Sequence, residues 1–429
     1  MKRINPNKNL WLLFVIVSLI AGACSNTKYL PAGESLYIGA DVKFDSANLK
    51  KKQRKTLKAE LNTLARPKPN SSILGLRFKL YAWNIAGHPK KKSSPRGWFK
   101  HKFGEPPVLL SSLNLDKNVQ VLDNTMENLG FFQVDVKGDT LVKNRRATAR
   151  YSVRPNQQYT IRQINFPSDS SVLAKAITES AKYTLLKPGR PFNLDVIKAE
   201  HARIDADLKE KGFYYFSPDY LLTKADSTVG EDKVNMYVTI KPGVPSDGKT
   251  PYSIKNVFVY TQFSLNAPGS DTSTANATLY KGYYVVDRRQ VYKPRMFEQA
   301  LQFKSGDLYS RNNHNLSLNR LINLGAFKFV KNRFEKVPGD STLLNTYYYL
   351  TPATKQALRL EFGGNTKSNN VTGSQVTLGW RNRNLFRGGE VLSVNASAGF
   401  EATYSGAFKG YNMYRMGLDA NLTFPRFII

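Results

Sequence analysis

From residue 358 onward, polar and apolar residues alternate along this 429-residue chain. Successive side chains of an extended strand point to opposite faces, so the pattern predicts strands with one apolar and one polar face. Four such strands are predicted. Their apolar positions are Leu358, Leu360 and Phe362; Val376, Leu378 and Trp380; Leu392, Val394, Ala396, Ala398 and Phe400; and Met416, Leu418, Ala420, Leu422 and Phe424.

Two kinds of structure produce this alternation, a half-buried soluble sheet and a transmembrane β-barrel. Strands of about ten residues and a polar face rich in Arg, Glu, Asn, Ser and Gly favour the barrel. Four strands cannot close one, because bacterial barrels begin at about eight strands and every backbone group in lipid needs a partner. We therefore expect residues 355–429 to be the start of a barrel, in a longer protein or an interrupted reading frame.

Three passages upstream share another pattern, a helix-compatible run that ends in glycine and is followed by aromatic residues in strand-like order. They are DNTMENLGFFQVDV (123–136), DADLKEKGFYYFSP (205–218) and LNRLINLGAFKFVK (318–331). Gly130, Gly212 and Gly325 suit the left-handed conformation that ends a helix. Short markers precede them, GEPPV from Gly104, GRPFN from Gly189 and GDLYS from Gly306, and alternating strands follow at 147–155, 234–242 and 344–352.

A further predicted strand opens each copy, from Ser35, Tyr159 and Tyr252. The order strand, helix, helix, strand, strand predicts three tandem α+β domains, because the repeat is far longer than a solenoid unit. We place them at residues 35–157, 158–249 and 250–354.

The N-terminus has the features of an export signal, with Lys2, Arg3 and Lys8 before an apolar run at 10–23. This run is too short for a comfortable membrane span. It ends in AGAC, which resembles a lipobox, so residues 1–23 are predicted to be a lipoprotein signal peptide. Cys24, the one cysteine, would carry the lipid, and residues 24–34 would form a tether; a plain signal peptide is the alternative.

The formal net charge of +31 indicates an anionic neighbour. A basic insertion at 87–107 has Trp98, Phe99 and Phe103 among its lysines. Behind an export signal, nucleic acid is excluded as a partner, and acidic head groups or an acidic protein remain. We predict an anionic contact, with a merely solvated loop as the alternative, at Lys90, Lys91, Lys92, Arg96 and Lys100.

No motif predicts an enzyme. The four histidines are scattered, and H-E-x-x-H, G-x-S-x-G and G-x-G-x-x-G are absent from the sequence. We expect no catalytic residues, no metal and no cofactor.

The repeats, together with AGAC, WFKHKFGEPPV and RNRNLFRGGE (381–390), resemble the BamA/TamA superfamily, and in particular the TamA-like lipoproteins (TamL) of Bacteroidota. The resemblance implies tandem POTRA domains (β-α-α-β-β) ahead of the first strands of an antiparallel transmembrane β-barrel. It also implies outer-membrane protein assembly or translocation, with outer-membrane lipids, unfolded outer-membrane proteins and a TamB-type inner-membrane-anchored protein as partners.

On this resemblance, POTRA edge strands accept clients by strand addition. The predicted edge is Phe327, Lys328, Phe329 and Val330, and a buried hydrophobic strand is the alternative there. Two further functions stay open: a BamA-like barrel-folding factor, and a periplasmic scaffold lipoprotein without a pore. Fewer POTRA units than BamA proteins usually carry, and the lipid anchor, favour the TamA-like role.

Overall fold

The computed structural model describes residues 26–45, 49–73, 75–264, 273–368, 371–403, 410 and 412–425. The predicted signal peptide and Cys24 lie outside the described residues. The strands are β1 (Leu36–Phe44), β2 (Asp135–Lys143), β3 (Arg146–Arg154), β4 (Thr160–Asn165), β5 (Leu221–Asp226), β6 (Lys233–Ile240), β7 (Ser253–Tyr260), β8 (Thr278–Tyr280), β9 (Tyr283–Val286), β10 (Phe327–Val337), β11 (Asp340–Pro352), β12 (Gln356–Thr366), β13 (Val371–Asn382), β14 (Val391–Thr403) and β15 (Asn412–Thr423). The α-helices are α1 (Lys51–Leu64), α2 (Phe78–Ile85), α3 (Pro95–Phe103), α4 (Leu115–Asn128), α5 (Val172–Ser180), α6 (Leu194–Glu210), α7 (Ser246–Lys249), α8 (Arg295–Ala300) and α9 (Arg311–Asn323).

One strand arrangement occurs three times in this α+β fold. The strand orders are β1-β3-β2, β4-β6-β5 and β10-β11-β7-β9-β8. In each sheet the first strand along the chain is parallel to the last, as β1 is to β3, β4 to β6 and β7 to β11. A parallel pair requires a long crossover, which the helices between the strands supply. The last strand but one along the chain in each sheet, β2, β5 or β10, lies at a sheet edge.

The short markers pair with the opening strands. In the second copy, Ile161 N donates to Arg190 O at 2.8 Å and Gly189 N donates to Ile161 O at 2.7 Å. In the third, Ile254 N donates to Asp307 O at 2.8 Å and Gly306 N donates to Ile254 O at 2.7 Å. The recurring motif thus satisfies backbone groups of the opening strand on its side away from β6 or β11.

The glycines behind the helices have the predicted left-handed conformation, with φ of +90° at Gly130 and +94° at Gly212. They also permit close contact with the next copy. Gly130 O accepts from Tyr159 N at 2.8 Å, and Gly212 O accepts from Tyr252 N at 2.9 Å. A Cβ on Gly130 would lie 2.9 Å from Phe192 O, so backbone conformation and available space both require glycine there.

The aromatic residues after the first two glycines lie in turns, so the strand-like order predicted for them is wrong. Phe132 instead packs against the next copy, with its ring centroid 5.0 Å from Tyr159 and 4.9 Å from Phe192. Tyr214 packs in the same way, 4.8 Å from Tyr309. Contact across the repeat junction, which local periodicity does not encode, determines their conformation.

The basic insertion is partly helical, since it contains α3. Pro95 occupies the first turn, and Ser94 Oγ accepts a capping hydrogen bond from Gly97 N at 3.1 Å. The composition of 87–107 masked this helix, because Pro95 and Gly97, residues typical of turns, lie in its first turn.

Contacts divide the chain into two compact units. One comprises Met1–Asn165, Leu185–Lys198 and Lys224–Tyr237; the other comprises Phe166–Thr184, Ala199–Thr223 and Val238–Ile429. The core of the first unit includes Tyr37, Leu61, Leu122 and Tyr151. The core of the second includes Tyr252, Phe297, Phe303, Leu321 and Tyr348. The domain boundaries drawn from the sequence remain predictions.

Candidate functional site

The predicted binding strand β10 lies at the edge of the five-stranded sheet, hydrogen-bonded on one side to β11. Phe327 and Val330 pack toward the core, and the ring of Phe327 lies 5.1 Å from Tyr292. Phe329 is 52% exposed, with Lys328 Nζ 5.3 Å from its ring centroid. The four predicted residues therefore divide into a core-facing pair, of which Phe327 is buried and Val330 half-buried, and an exposed pair.

The edge is irregular and basic. The register with β11 shifts between Phe327 and Phe329, so Lys328 has no opposite residue. Such bulges and edge lysines are the usual protection against uncontrolled strand pairing. Further along β10, Arg333 forms an ion pair with Glu335 at 2.8 Å. An extended segment added here would meet a positively charged strand.

The sheet face next to this edge, opposite the helices, carries a row of rings that sequence analysis did not single out. Leu279, Tyr284, Phe258, Tyr347 and Arg333 are successive partners across β8, β9, β7, β11 and β10. The Phe258 ring stacks 5.0 Å from both Tyr284 and Tyr347. The sequence places these rings at every second residue of YSIKNVFVY and LNTYYYLTP. It does not show the strand pairing that brings them into one row.

Burial among these rings raises the pKa of Tyr260 to about 12, and the neighbouring Tyr349 and Tyr347 add to the effect. Its hydroxyl therefore stays un-ionised at neutral pH.

Strands β12 to β15 form an open antiparallel sheet in sequence order. Its register aligns every predicted apolar row. Leu360 is opposite Leu378, Leu378 opposite Ala396, and Ala396 opposite Leu418. One continuous apolar face results. Most of its large side chains are exposed, from 38% at Val376 to 86% at Met416, whereas Trp380, Leu392, Val394 and Phe400 are half-buried. A soluble monomer rarely exposes an apolar patch of this extent.

The opposite face of this sheet is polar and concave, around a cavity of about 500 Å³. Arg359, Gly379, Asn395 and Asp419 form one row across its four strands. Lys367 Nζ pairs with Glu401 Oε2 at 2.8 Å, and Arg359 pairs with Glu361. All charged side chains of β12 to β14 belong to this polar set.

The RNLFRGGE turn between β13 and β14 anchors the sheet to the third repeat. Asn384 is buried; its Nδ2 donates to Val291 O at 2.9 Å, and its Oδ1 accepts from Gly389 N at 3.0 Å. Lys293 N donates to Arg387 O at 2.7 Å. The motif noted in the sequence thus forms a structural joint.

The predicted anionic contact is divided by the fold. Lys90, Lys91, Lys92 and Arg96 are exposed. Lys100 is 7% exposed, donates from Nζ to Gly87 O at 2.5 Å, and lies 4.2 Å from the centroid of Trp83. Its charge is satisfied within the protein.

Within the described ranges, no group of three or more His, Cys, Asp or Glu side chains could hold a metal ion. Over the same residues, the longest apolar stretches of helix fall short of a membrane span. The predicted lipid-attachment site at Cys24 precedes the first described residue.

No family model and no curated protein matches the sequence. Among solved structures, the chain is similar to POTRA3-5 of BamA from Haemophilus influenzae, with 13% identity and a TM-score of 0.35 over 75% of this chain and 99% of that one. BamA from Haemophilus ducreyi lacking POTRA domains 1-3 has 11% identity and a TM-score of 0.35, over 62% and 47%. CdiB from Acinetobacter baumannii has 12% identity and a TM-score of 0.29, over 66% and 46%.

The chain therefore spans about half the length of the last two proteins. At such identities and TM-scores, the likeness by itself carries no argument about function.

Proposed function

We propose that the chain is an outer-membrane assembly or translocation component of the BamA/TamA superfamily, closest to the TamA-like lipoproteins. Its three repeats act as periplasmic POTRA domains, and β12 to β15 are the first strands of a transmembrane barrel. Cys24 carries a lipid in the outer membrane. The protein is not an enzyme and needs no cofactor.

One observation carries this proposal: the apolar rows of β12 to β15 are in register, and most of their large side chains are exposed. Each strand has 11 to 13 residues, enough to cross a bilayer with the usual tilt. The polar face suits a water-filled lumen, and the apolar face suits lipid. The strand pairing that the three repeats share, with helices between the paired strands, supports the POTRA assignment.

In this proposal, β10 is where an extended client or a TamB-type partner adds a strand. Backbone hydrogen bonds supply affinity without demanding a particular sequence, as a general assembly factor requires. Phe329 and Lys328 would contact the added strand first. The basic edge favours segments with acidic residues.

Membrane insertion is tested by purifying the chain from residue 25 onward with and without detergent. We expect a stable monomer only with detergent or lipid, because the apolar face otherwise aggregates. A monodisperse protein in detergent-free buffer would overturn the barrel assignment and favour a periplasmic scaffold lipoprotein.

Client binding is tested by photocrosslinking from position 329, with an unfolded outer-membrane protein synthesised in vitro as the probe. We expect the unfolded protein to crosslink to a photoreactive residue that replaces Phe329. We expect no crosslink to one that replaces Val172, a residue of similar exposure on α5. Equal crosslinking at both positions would count against β10 as the client strand.

A further inference from the structure

Helices α2 and α3 expose an unusual cluster of large apolar side chains. The exposed fractions range from 41% at Phe99 to 58% at Ile85, and the other members are Phe78, Trp98 and Phe103. The Phe103 ring centroid lies 5.6 Å from Trp98 and 5.5 Å from Phe99. Three adjacent rings therefore form a ridge on α3 that faces solvent.

The same segment is strongly cationic. Residues 61–104 contain ten Lys and Arg residues and no Asp or Glu. Lys102 Nζ lies 4.7 Å from the centroid of Trp98, and Lys90, Lys91 and Lys92 are exposed in the loop before α3. Aromatic rings bordered by basic residues are the composition of surfaces that lie in a membrane interface.

The fold holds this loop against α3. A Cβ on Gly97 would lie 2.4 Å from Lys91 O, so the backbone of the lysine run packs directly on the helix. Lys100 joins the two helices through its contacts with Gly87 and Trp83. The exposed lysines are thus held beside the aromatic ridge.

Chain length links the cluster to the predicted lipid. Leu80 of α2 shares a buried cluster with Leu30 and Leu36. Leu30 follows Cys24 by six residues, and six extended residues reach at most about 22 Å. If Cys24 carries a lipid, α2 must lie close to the bilayer surface.

We propose that α2, α3 and the loop between them form a membrane-contact surface, which binds a bilayer containing anionic phospholipid. Trp98, Phe99 and Phe103 enter the interfacial region, while Lys90, Lys91, Lys92 and Arg96 contact phosphate groups. This placement rests on the proposed function, through the lipid at Cys24. An acidic protein would explain the charge but not the short distance to the lipid.

The test uses the full chain with Cys24→Ser, which removes its one cysteine and the lipid together. An NBD label at Phe99→Cys reports entry into an apolar environment. The protein is reconstituted in phosphatidylcholine vesicles with or without about 30% phosphatidylglycerol. We expect a severalfold rise in NBD emission with the anionic lipid only, largely reversed at about 0.5 M salt. A label at Val172→Cys should not respond.

A matched pair of variants locates the effect. Replacing Lys90, Lys91 and Lys92 together by Gln should abolish most of the rise in emission, because each lysine near an anionic surface contributes to binding. Lys50, Lys51 and Lys52→Gln makes the same charge change at another exposed site and should leave the response intact. Equal losses in both variants, or no response at position 99, would overturn the proposal.

The lipid anchor is tested separately, by the mass of the N-terminal peptide of the wild-type protein. An unmodified Cys24 would contradict the lipoprotein part of the proposed function and leave the vesicle result unaffected. A response to an added acidic protein without one to anionic vesicles would assign the surface to a protein partner instead.

Discussion

The five-stranded sheet of the third repeat and the four-stranded sheet that follows it share the same alternation of apolar and polar residues. In the first sheet, Val257 and Leu344 are completely buried, in one cluster with Phe297 of α8 and Leu321 of α9. In the second, Leu418 and Met416 are 76% and 86% exposed. Between Gln356 and Thr423, the described residues contain no helix.

The difference shows what alternation does and does not determine. It fixes which side chains share a face, because the strand period is two. The cover for that face comes from other elements, which are two helices in the third repeat. The four-stranded sheet has no cover within the described residues, so its apolar face requires lipid, detergent or another protein surface.

The comparison is tested most severely by removing one phenylalanine ring from each region. Phe297→Ala should cost about 3–5 kcal/mol of unfolding free energy, because a completely buried ring leaves a cavity. Phe362→Ala, at a residue of β12 that is 76% exposed, should cost about 1 kcal/mol of unfolding free energy or less. Guanidinium titration in detergent measures both, and similar costs would mean that the apolar face of the sheet is packed against protein.

A charge on the apolar face gives the next largest effect. Leu360→Arg should cost about 2–4 kcal/mol in lipid vesicles, because an arginine on the lipid face must leave water. Thr377→Arg, on the polar face opposite Glu361, should cost about 1 kcal/mol or less. Urea titration of the vesicle-bound protein compares the two, and equal costs would contradict a lipid-facing surface on that side.

Local sequence patterns predicted the parts of the fold that depend on neighbouring residues. Strands β3, β6 and β11 lie where alternation placed them, and Gly130 has the predicted positive φ. The four C-terminal strands were also predicted, but their mutual register depends on pairing between distant residues. The hairpin of β8 and β9 escaped prediction because its strands have only three and four residues, and the helix α3 because Pro95 and Gly97 lie in its first turn.

The candidate sites show the same limit. Lys100 and Lys92 are indistinguishable in the sequence, yet Lys100 points inward because Trp83 and Gly87 lie beside it. Phe327 and Phe329 differ in the same way, since one faces the core and the other solvent. Side-chain direction within a predicted site depends on tertiary contacts that single-sequence periodicity does not contain.

A substitution in the RNLFRGGE turn, which joins the two sheets, should have a smaller effect on unfolding free energy. Asn384→Ala should cost about 1–3 kcal/mol, because it leaves Val291 O and Gly389 N buried without their partner. Asn395→Ala, on the exposed polar face, should change stability by no more than about 0.5 kcal/mol. Thermal unfolding in detergent is the measurement. Equal effects would mean that the turn does not couple the sheets.

The smallest expected effect is a pH dependence of stability in the third repeat, whose sheet is covered by helices. Burial lowers the pKa of His314, whose ring lies 5.0 Å from Phe334. The unfolded chain therefore binds more protons as the pH falls below about 6.5, so stability should decrease from pH 7 toward pH 5. His314→Gln should reduce this slope in unfolding titrations of the third repeat.

The pKa of His201 is also lowered, chiefly by burial, although Glu200 opposes the shift, so some slope should persist in His314→Gln. The four-stranded sheet contains no histidine between residues 356 and 423. If His314→Gln changed the pH dependence with which the four-stranded sheet unfolds, the stability of that sheet would depend on the third repeat. The two sheets would then not be independent of each other.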